Sequence, residues 1–183
     1  GRGALPAALA CVAIAVALTG PAVERPGAQN FRNLDVTVVV VDLSRSVAMS
    51  PRFMDARLAA YAAVEATGSR QAAVIVYAGD AYLAAPLTSD HRALETLMSS
   101  LDGDTVPDVG TAPTAALALA RATLKQAGAI GGDVVLVSDG GGLDDSAETE
   151  ARALAAEGHA LSTLYVEPAP QAPKRTGVDG RAA

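Results

Sequence analysis

The stretch Val36–Ser46, VTVVVVDLSRS, decides how the rest of the chain is read. Val36 through Val41 is an almost unbroken β-branched run, the composition of a strand covered on both faces in a parallel sheet. The character then changes within one residue. Asp42, Ser44 and Ser46 place a carboxylate and two hydroxyls at alternate positions, where such a strand would end. Open α/β sheets bind their ligands outside the carboxyl ends of their strands, and a carboxylate in so apolar a setting is costly unless something pairs with it. A set of oxygen donors suits a hard divalent cation such as Mg2+ better than it suits zinc.

Around this stretch the chain reads as one α/β domain with an added N-terminal element. Of its 183 residues 50% are apolar and only 3% aromatic, so the core is expected to be a Val-rich sheet packed on Ala/Leu-rich helices. A formal net charge of −6 with no basic run argues against nucleic acid as a partner. Cys11 is the lone cysteine, which excludes a disulfide framework within the chain and a thiolate metal cluster. His91 and His159 stand too far apart for zinc-ligand spacing.

Ala4–Val23 carries no charge and just reaches the roughly 20 residues that span a bilayer. Membrane anchor, cleaved signal segment and buried core helix are the three readings open to it. Residues 24–33, with Pro, Gly, Gln and Asn, form a linker, and the domain proper covers 34–167. Residues 168–183 hold three prolines and few apolar side chains and are expected to be a mobile tail or the cut-off start of a final helix.

Within the domain, the loop at Pro51 leads into a helix over Arg52–Thr67, with Leu58, Tyr61, Ala62 and Glu65 as its inward stripe. Gln71–Ala78 is a second strand. Gly79-Asp80 turns the chain into Ala81–Ala85, which follows too closely for a crossover and is therefore an antiparallel edge strand, stopped by Pro86. Ser89-Asp90 caps a helix to about Leu101, and Thr111 opens another to Ala127 whose core face is Leu117, Ala120 and Leu124. Gly131-Gly132 ends that connection. Asp133–Ser138 is a further central strand with Asp139 behind it, Ser146–Glu157 a helix and His159–Glu167 the last strand. The expectation is a central sheet of five parallel strands with Ala81–Ala85 antiparallel at one edge and helices on both faces.

Three oxygen-bearing loops follow strands or open a helix: Asp42/Ser44/Ser46, Thr111, and Ser138-Asp139-Gly140. Singly, each is explained by capping or turn chemistry. Together, in this order, they resemble the metal-ion-dependent adhesion site (MIDAS) of von Willebrand factor type A (VWA) domains, which reads D-x-S-x-S, then Thr, then Asp. The resemblance implies a three-layer, Rossmann-like VWA fold. It implies a divalent ion (Mg2+, or Mn2+ or Ca2+) held by Ser44 and Ser46 directly, by Thr111 directly or through water, and by Asp42 and Asp139 mostly through water. One coordination position is left for an Asp or Glu of a protein partner. Read as surface ligands, Ser44 and Asp42 are expected to matter for binding and little for stability, and loss of Asp42 to relieve carboxylate repulsion in the metal-free protein.

NLDVTVVVVDLSRS, YAGDAYLAAPLTSD, VGTAPTAALALA and VVLVSDG further resemble bacterial membrane-anchored VWA proteins of the Bat aerotolerance type and their relatives in methanol-oxidation gene clusters. That likeness favours the anchor reading of Ala4–Val23. It implies work beside a MoxR-type AAA+ ATPase and other VWA proteins in the maturation of protein complexes. Arg2 is the only charge before the span, which by the positive-inside tendency sets the domain on the periplasmic side of the inner membrane. Val47 stands where the family usually has Met, and Gly141 where an acidic residue is common. Enzyme readings fit less well. A haloacid-dehalogenase-type phosphoryl-transfer site needs a second carboxylate where Ser44 stands, and no G-x-S-x-G elbow or phosphate-binding glycine loop is present. A structural VWA scaffold with a vacant metal site is the remaining alternative.

Overall fold

The valine run forms strand β1 (Asp35–Asp42) in the computed structural model, which describes residues 35–167. β1 lies in the middle of a five-stranded sheet because both of its faces must be kept from water. Val39 and Val41 enter one apolar core, and Val36, Val38 and Val40 enter the other. Parallel ladders join β1 to β2 (Gln71–Tyr77) and to β4 (Gly131–Ser138), and β4 to β5 (Ala160–Tyr165). β3 (Ala81–Thr88) runs antiparallel on β2, so the order is β3-β2-β1-β4-β5. The expected five parallel strands are therefore corrected to four among the described residues. One of the five extended segments is taken by the hairpin after Gly79-Asp80.

Helices cover the sheet in two layers. α1 (Arg45–Ala48), α2 (Phe53–Glu65) and α3 (His91–Ser100) lie on the Val39/Val41 side, while α4 (Pro113–Ala127) and α5 (Asp145–Ala156) lie on the other. The α4 face is the expected one, with Leu117, Ala120 and Leu124 buried. Asp90 caps α3 by accepting the Ala93 N–H at 3.1 Å.

Four local expectations are corrected. The buried face of α2 is Ala56, Ala60 and Val64, while Leu58 is 65% exposed and Ala62 and Glu65 face solvent. Alanines let the helix settle close on the valine surface, where a leucine stripe would hold it off. β3 continues through Pro86. Pro86 is tolerated because β3 is an edge strand and because its pairing with β2 slips register between Ala72 and Val74, the stretch opposite it. The segment ahead of Pro51 contains the one-turn helix α1, which the loop reading missed. Gly131 and Gly132 belong to β4, and a Cβ on Gly132 would come within 2.6 Å of Leu124 Cδ2, so this glycine lets α4 pack close to the strand.

Among the described residues no helix is long and apolar enough to cross a membrane. The expected apolar helix Ala4–Val23, the linker at 24–33 and the tail at 168–183 lie outside the described residues.

Candidate metal centre at the carboxyl end of the sheet

Parallel register builds the centre of the site. Asp42, the last residue of β1, pairs with Tyr77, the last of β2. On the other side Val41 pairs with Val137, which brings Ser138 at the end of β4 level with Asp42. The chain leaves β1 toward β2 and leaves β4 toward β5, in opposite directions across the sheet. Loops part at such a switch point and leave a crevice.

Asp42 is fully buried, at 0% exposure. Its Oδ2 accepts from the Tyr77 hydroxyl at 2.9 Å and from Ser138 Oγ at 2.8 Å, and its Oδ1 accepts from the Ser44 N–H at 2.8 Å. Tyr77 OH and Ser138 Oγ are themselves 3.1 Å apart, and the Gly140 N–H donates to Ser138 Oγ at 3.0 Å. Burial pushes the Asp42 carboxyl above the ordinary carboxylate range, and the bonds from Ser44, Ser138 and Tyr77 oppose that push. Burial, and then the Asp42 charge, drive the Tyr77 phenol upward as well. The phenol therefore stays a donor.

Ser44 occupies the N-cap position of α1, yet its side chain makes no capping bond. Its Oγ lies instead 3.1 Å from Ser46 Oγ. Thr111 does not cap α4 either: the cap is Ala112, Pro113 follows it, and no side chain bonds to the helix end. Thr111 is exposed and donates from Oγ1 to the Gly141 carbonyl at 3.3 Å. The Ala112 N–H, donating to Ala78 O at 2.7 Å, ties this segment to the end of β2. Asp139 is half-buried, and its Oδ1 accepts the Gly141 N–H at 2.8 Å. Gly142, at φ +71°, allows the turn to lie against Thr111, whose Cγ2 and carbonyl would sit 3.0 and 3.1 Å from an added Cβ.

The five residues singled out in the sequence thus fall into two hydrogen-bonded groups. Asp42, Ser44 and Ser46 form one, and Thr111 and Asp139 are joined through Gly141 in the other. The Ser138–Asp139 peptide bond links the two groups. Sequence reasoning left out Tyr77 and gave Ser138 no role of its own. The available signal was a phenol ending an otherwise aliphatic strand, QAAVIVY, since a buried tyrosine hydroxyl needs a partner. Among the described residues no three His, Cys, Asp or Glu side chains converge on a metal position, so a cation at this place would depend on hydroxyl donors.

The sequence profile of the von Willebrand factor type A domain matches residues 37–141, more than half of the chain. The protein belongs to that family. VWA domains are protein-interaction modules. Conserved hypothetical protein BatB from Bacteroides thetaiotaomicron is 25% identical, with a TM-score of 0.65 over 72% of this chain and 66% of that one. An aerotolerance-related membrane protein from Bacteroides fragilis NCTC 9343 is also 25% identical, with a TM-score of 0.65 over 72% and 67%. The chain therefore spans about two thirds of the length of these two relatives. Proximal thread matrix protein 1 from the mussel byssus, whose structure has a zinc-occupied MIDAS motif, shares the fold at 21% identity and a TM-score of 0.59 over 70% of this chain and 35% of that one. No curated protein matches the chain significantly.

Proposed function

We propose that this VWA domain binds a protein partner through a divalent cation held by Ser44, Ser46, Thr111, Asp42 and Asp139. One observation carries the reading: the hydroxyls of Ser44 and Thr111 stand at the starts of two helices and cap neither of them. Their ordinary structural use is absent. Two carboxylates and three hydroxyls fit a hard cation, and Mg2+ suits a donor set this small because it keeps several of its waters. The charges of Asp42 and Asp139 balance a divalent ion and leave it short of one strong ligand. A carboxylate from a partner completes the shell through charge-assisted bonding. The cation supplies an electrophilic anchor, and the protein supplies its position.

The likeness to the two Bacteroides proteins supports a wider setting for the same module. In this proposal Ala4–Val23 anchors the chain in the bacterial inner membrane with the domain on the periplasmic side, and it works with a MoxR-type AAA+ ATPase and other VWA proteins on the maturation of a protein complex. It is a binding module and not an enzyme. A second reading has a specific observation behind it. Both oxygens of Asp42 are already served by protein donors, which favours a scaffold that holds no ion.

Titration of the full chain with Mn2+, followed by the loss of the free-ion electron paramagnetic resonance signal, separates the two. The metal-bridged reading expects one site, lost in Ser44→Ala and in Thr111→Ala. No bound Mn2+, or binding unchanged in both variants, leaves the scaffold. Recovery of a partner from native extract with Mg2+ but not with EDTA then tests the bridge itself, and carbonate extraction of native membranes tests the anchor.

A further inference from the structure

Beside the candidate metal centre runs an open groove of about 350 Å3. It is lined by buried Leu43 and Ala78, by Ala48 and Met49 at the end of α1, and by Val106 and Val109 from the loop between α3 and α4. Met49 is 64% exposed and Val109 87% exposed. A single exposed apolar side chain is ordinary, but two that line one groove from separate segments of the chain make surface that a partner can bury. The groove is continuous with the centre through the chain itself. Leu43 lies between Asp42 and Ser44, Arg45 between Ser44 and Ser46, and Gly110 directly precedes Thr111, all three lining the groove.

The lining carries both signs of charge. Arg45, between Ser44 and Ser46 in the chain, is exposed, donates from Nε to Met49 Sδ at 3.3 Å and forms no ion pair among the described residues. Asp104 and Asp108 stand on the loop side, and Asp108 also accepts from the Tyr82 hydroxyl. An acidic group is therefore attracted near Arg45 and repelled near Asp104 and Asp108. The volume equals roughly ten waters, enough for one or two side chains of an extended segment.

We infer that the groove seats the residues flanking the partner's metal-binding carboxylate. An apolar side chain of Leu or Met size lies between Met49 and Val109, and a basic side chain reaches Asp104 and Asp108. The inference rests on the metal-bridged reading and adds what that reading lacks. A carboxylate on the ion accepts any Asp or Glu, whereas selection among partners needs shaped apolar contacts and a charge that rejects the wrong ones. Wholly acidic segments are turned away by the loop side of the rim.

The test displays short peptides with one fixed Asp and random flanks to the immobilised full chain in Mg2+ and elutes with EDTA. Eluted peptides are expected to carry an apolar residue beside the Asp and a Lys or Arg beyond it. Their affinity for a Met49→Ser/Val109→Ser double variant should fall about tenfold while Mg2+ dependence remains, the loss of one partly buried apolar contact. Asp104→Lys should abolish the outer preference for a basic residue. Eluted peptides without a flank preference, or with affinity unchanged in the double variant, overturn the groove and leave the metal bridge standing. A Mg2+-dependent dimer of the chain that the double variant abolishes gives the groove to a second copy and also overturns the inference. No EDTA-eluted peptide at all removes the metal-bridged reading, and the inference with it.

Discussion

Asp42 ends β1 and Asp139 directly follows β4, two neighbouring valine-rich parallel strands, and the fold treats them differently. Asp42 is sealed in the core and accepts bonds from a phenol, a hydroxyl and a backbone amide. Asp139 is half-buried and, among the described residues, accepts from the backbone of its own turn alone. Asp42 is thus part of the packed core, and Asp139 is an attachment to its edge. The same residue type at the carboxyl end of a strand can be structural or free, and what decides is whether neighbouring strands bring donors level with it.

This contrast changes the expected cost of losing Asp42. As a surface ligand it would contribute little to stability. With Tyr77 OH, Ser138 Oγ and the Ser44 N–H aimed at it, Asp42→Ala strands buried donors whose desolvation costs about 1–3 kcal/mol each. A loss of about 3 kcal/mol is expected in urea unfolding of the metal-free protein, because Tyr77 and Ser138 can still bond to each other. Asp139→Ala in the same assay should stay below about 1 kcal/mol. Equal losses in the two variants would remove the contrast.

Metal should bring out the part played by Asp139. Mg2+ at about a hundred times its Kd is expected to stabilise the wild type by about 2.7 kcal/mol. Asp139→Ala, nearly silent without metal, should lose most of that gain, as a shift of the urea midpoint with and without Mg2+ will show. Tyr77→Phe is the next smaller effect. It leaves Asp42 Oδ2 with the Ser138 donor alone and is expected to cost about 1.5 kcal/mol without unfolding the sheet. Ser44→Ala, which removes a hydroxyl and leaves the Ser44 N–H bond to Asp42 in place, should cost less than about 1 kcal/mol.

The smallest effect is on pH. Burial raises the Asp42 carboxyl above its ordinary value of 3.8 in the folded state. The native state therefore holds this proton more tightly than the unfolded chain does. The stabilising contribution is complete below 3.8 and is lost as pH rises through the folded value. The stability of the metal-free wild type minus that of Asp42→Asn should decline across that window by about 1 kcal/mol or less, since hydrogen bonds offset much of the burial. A difference that rises with pH would show that the three donors outweigh desolvation.

The sequence by itself determined what depends on neighbours along the chain. The unbroken valine run declared a strand buried on two faces, the Leu117/Ala120/Leu124 spacing declared the face of α4, and Asp90 declared a cap, and each stands in the structure. Asp42, Ser44, Ser46, Thr111 and Asp139 could be singled out because their order along the chain resembles a family motif, and their role as ligands is a proposal. Tertiary structure alone decided the rest. Pro86 stays within β3 only because that strand ended up at the sheet edge. The face of α2 was set by how closely a helix can approach valines, a property of the packed pair that helical spacing does not contain. Tyr77 meets Asp42 across a gap of 35 residues, and only the register between β1 and β2 carries that information. Periodicity reports which way a side chain faces on its own element, and what it faces is set when the strands pair.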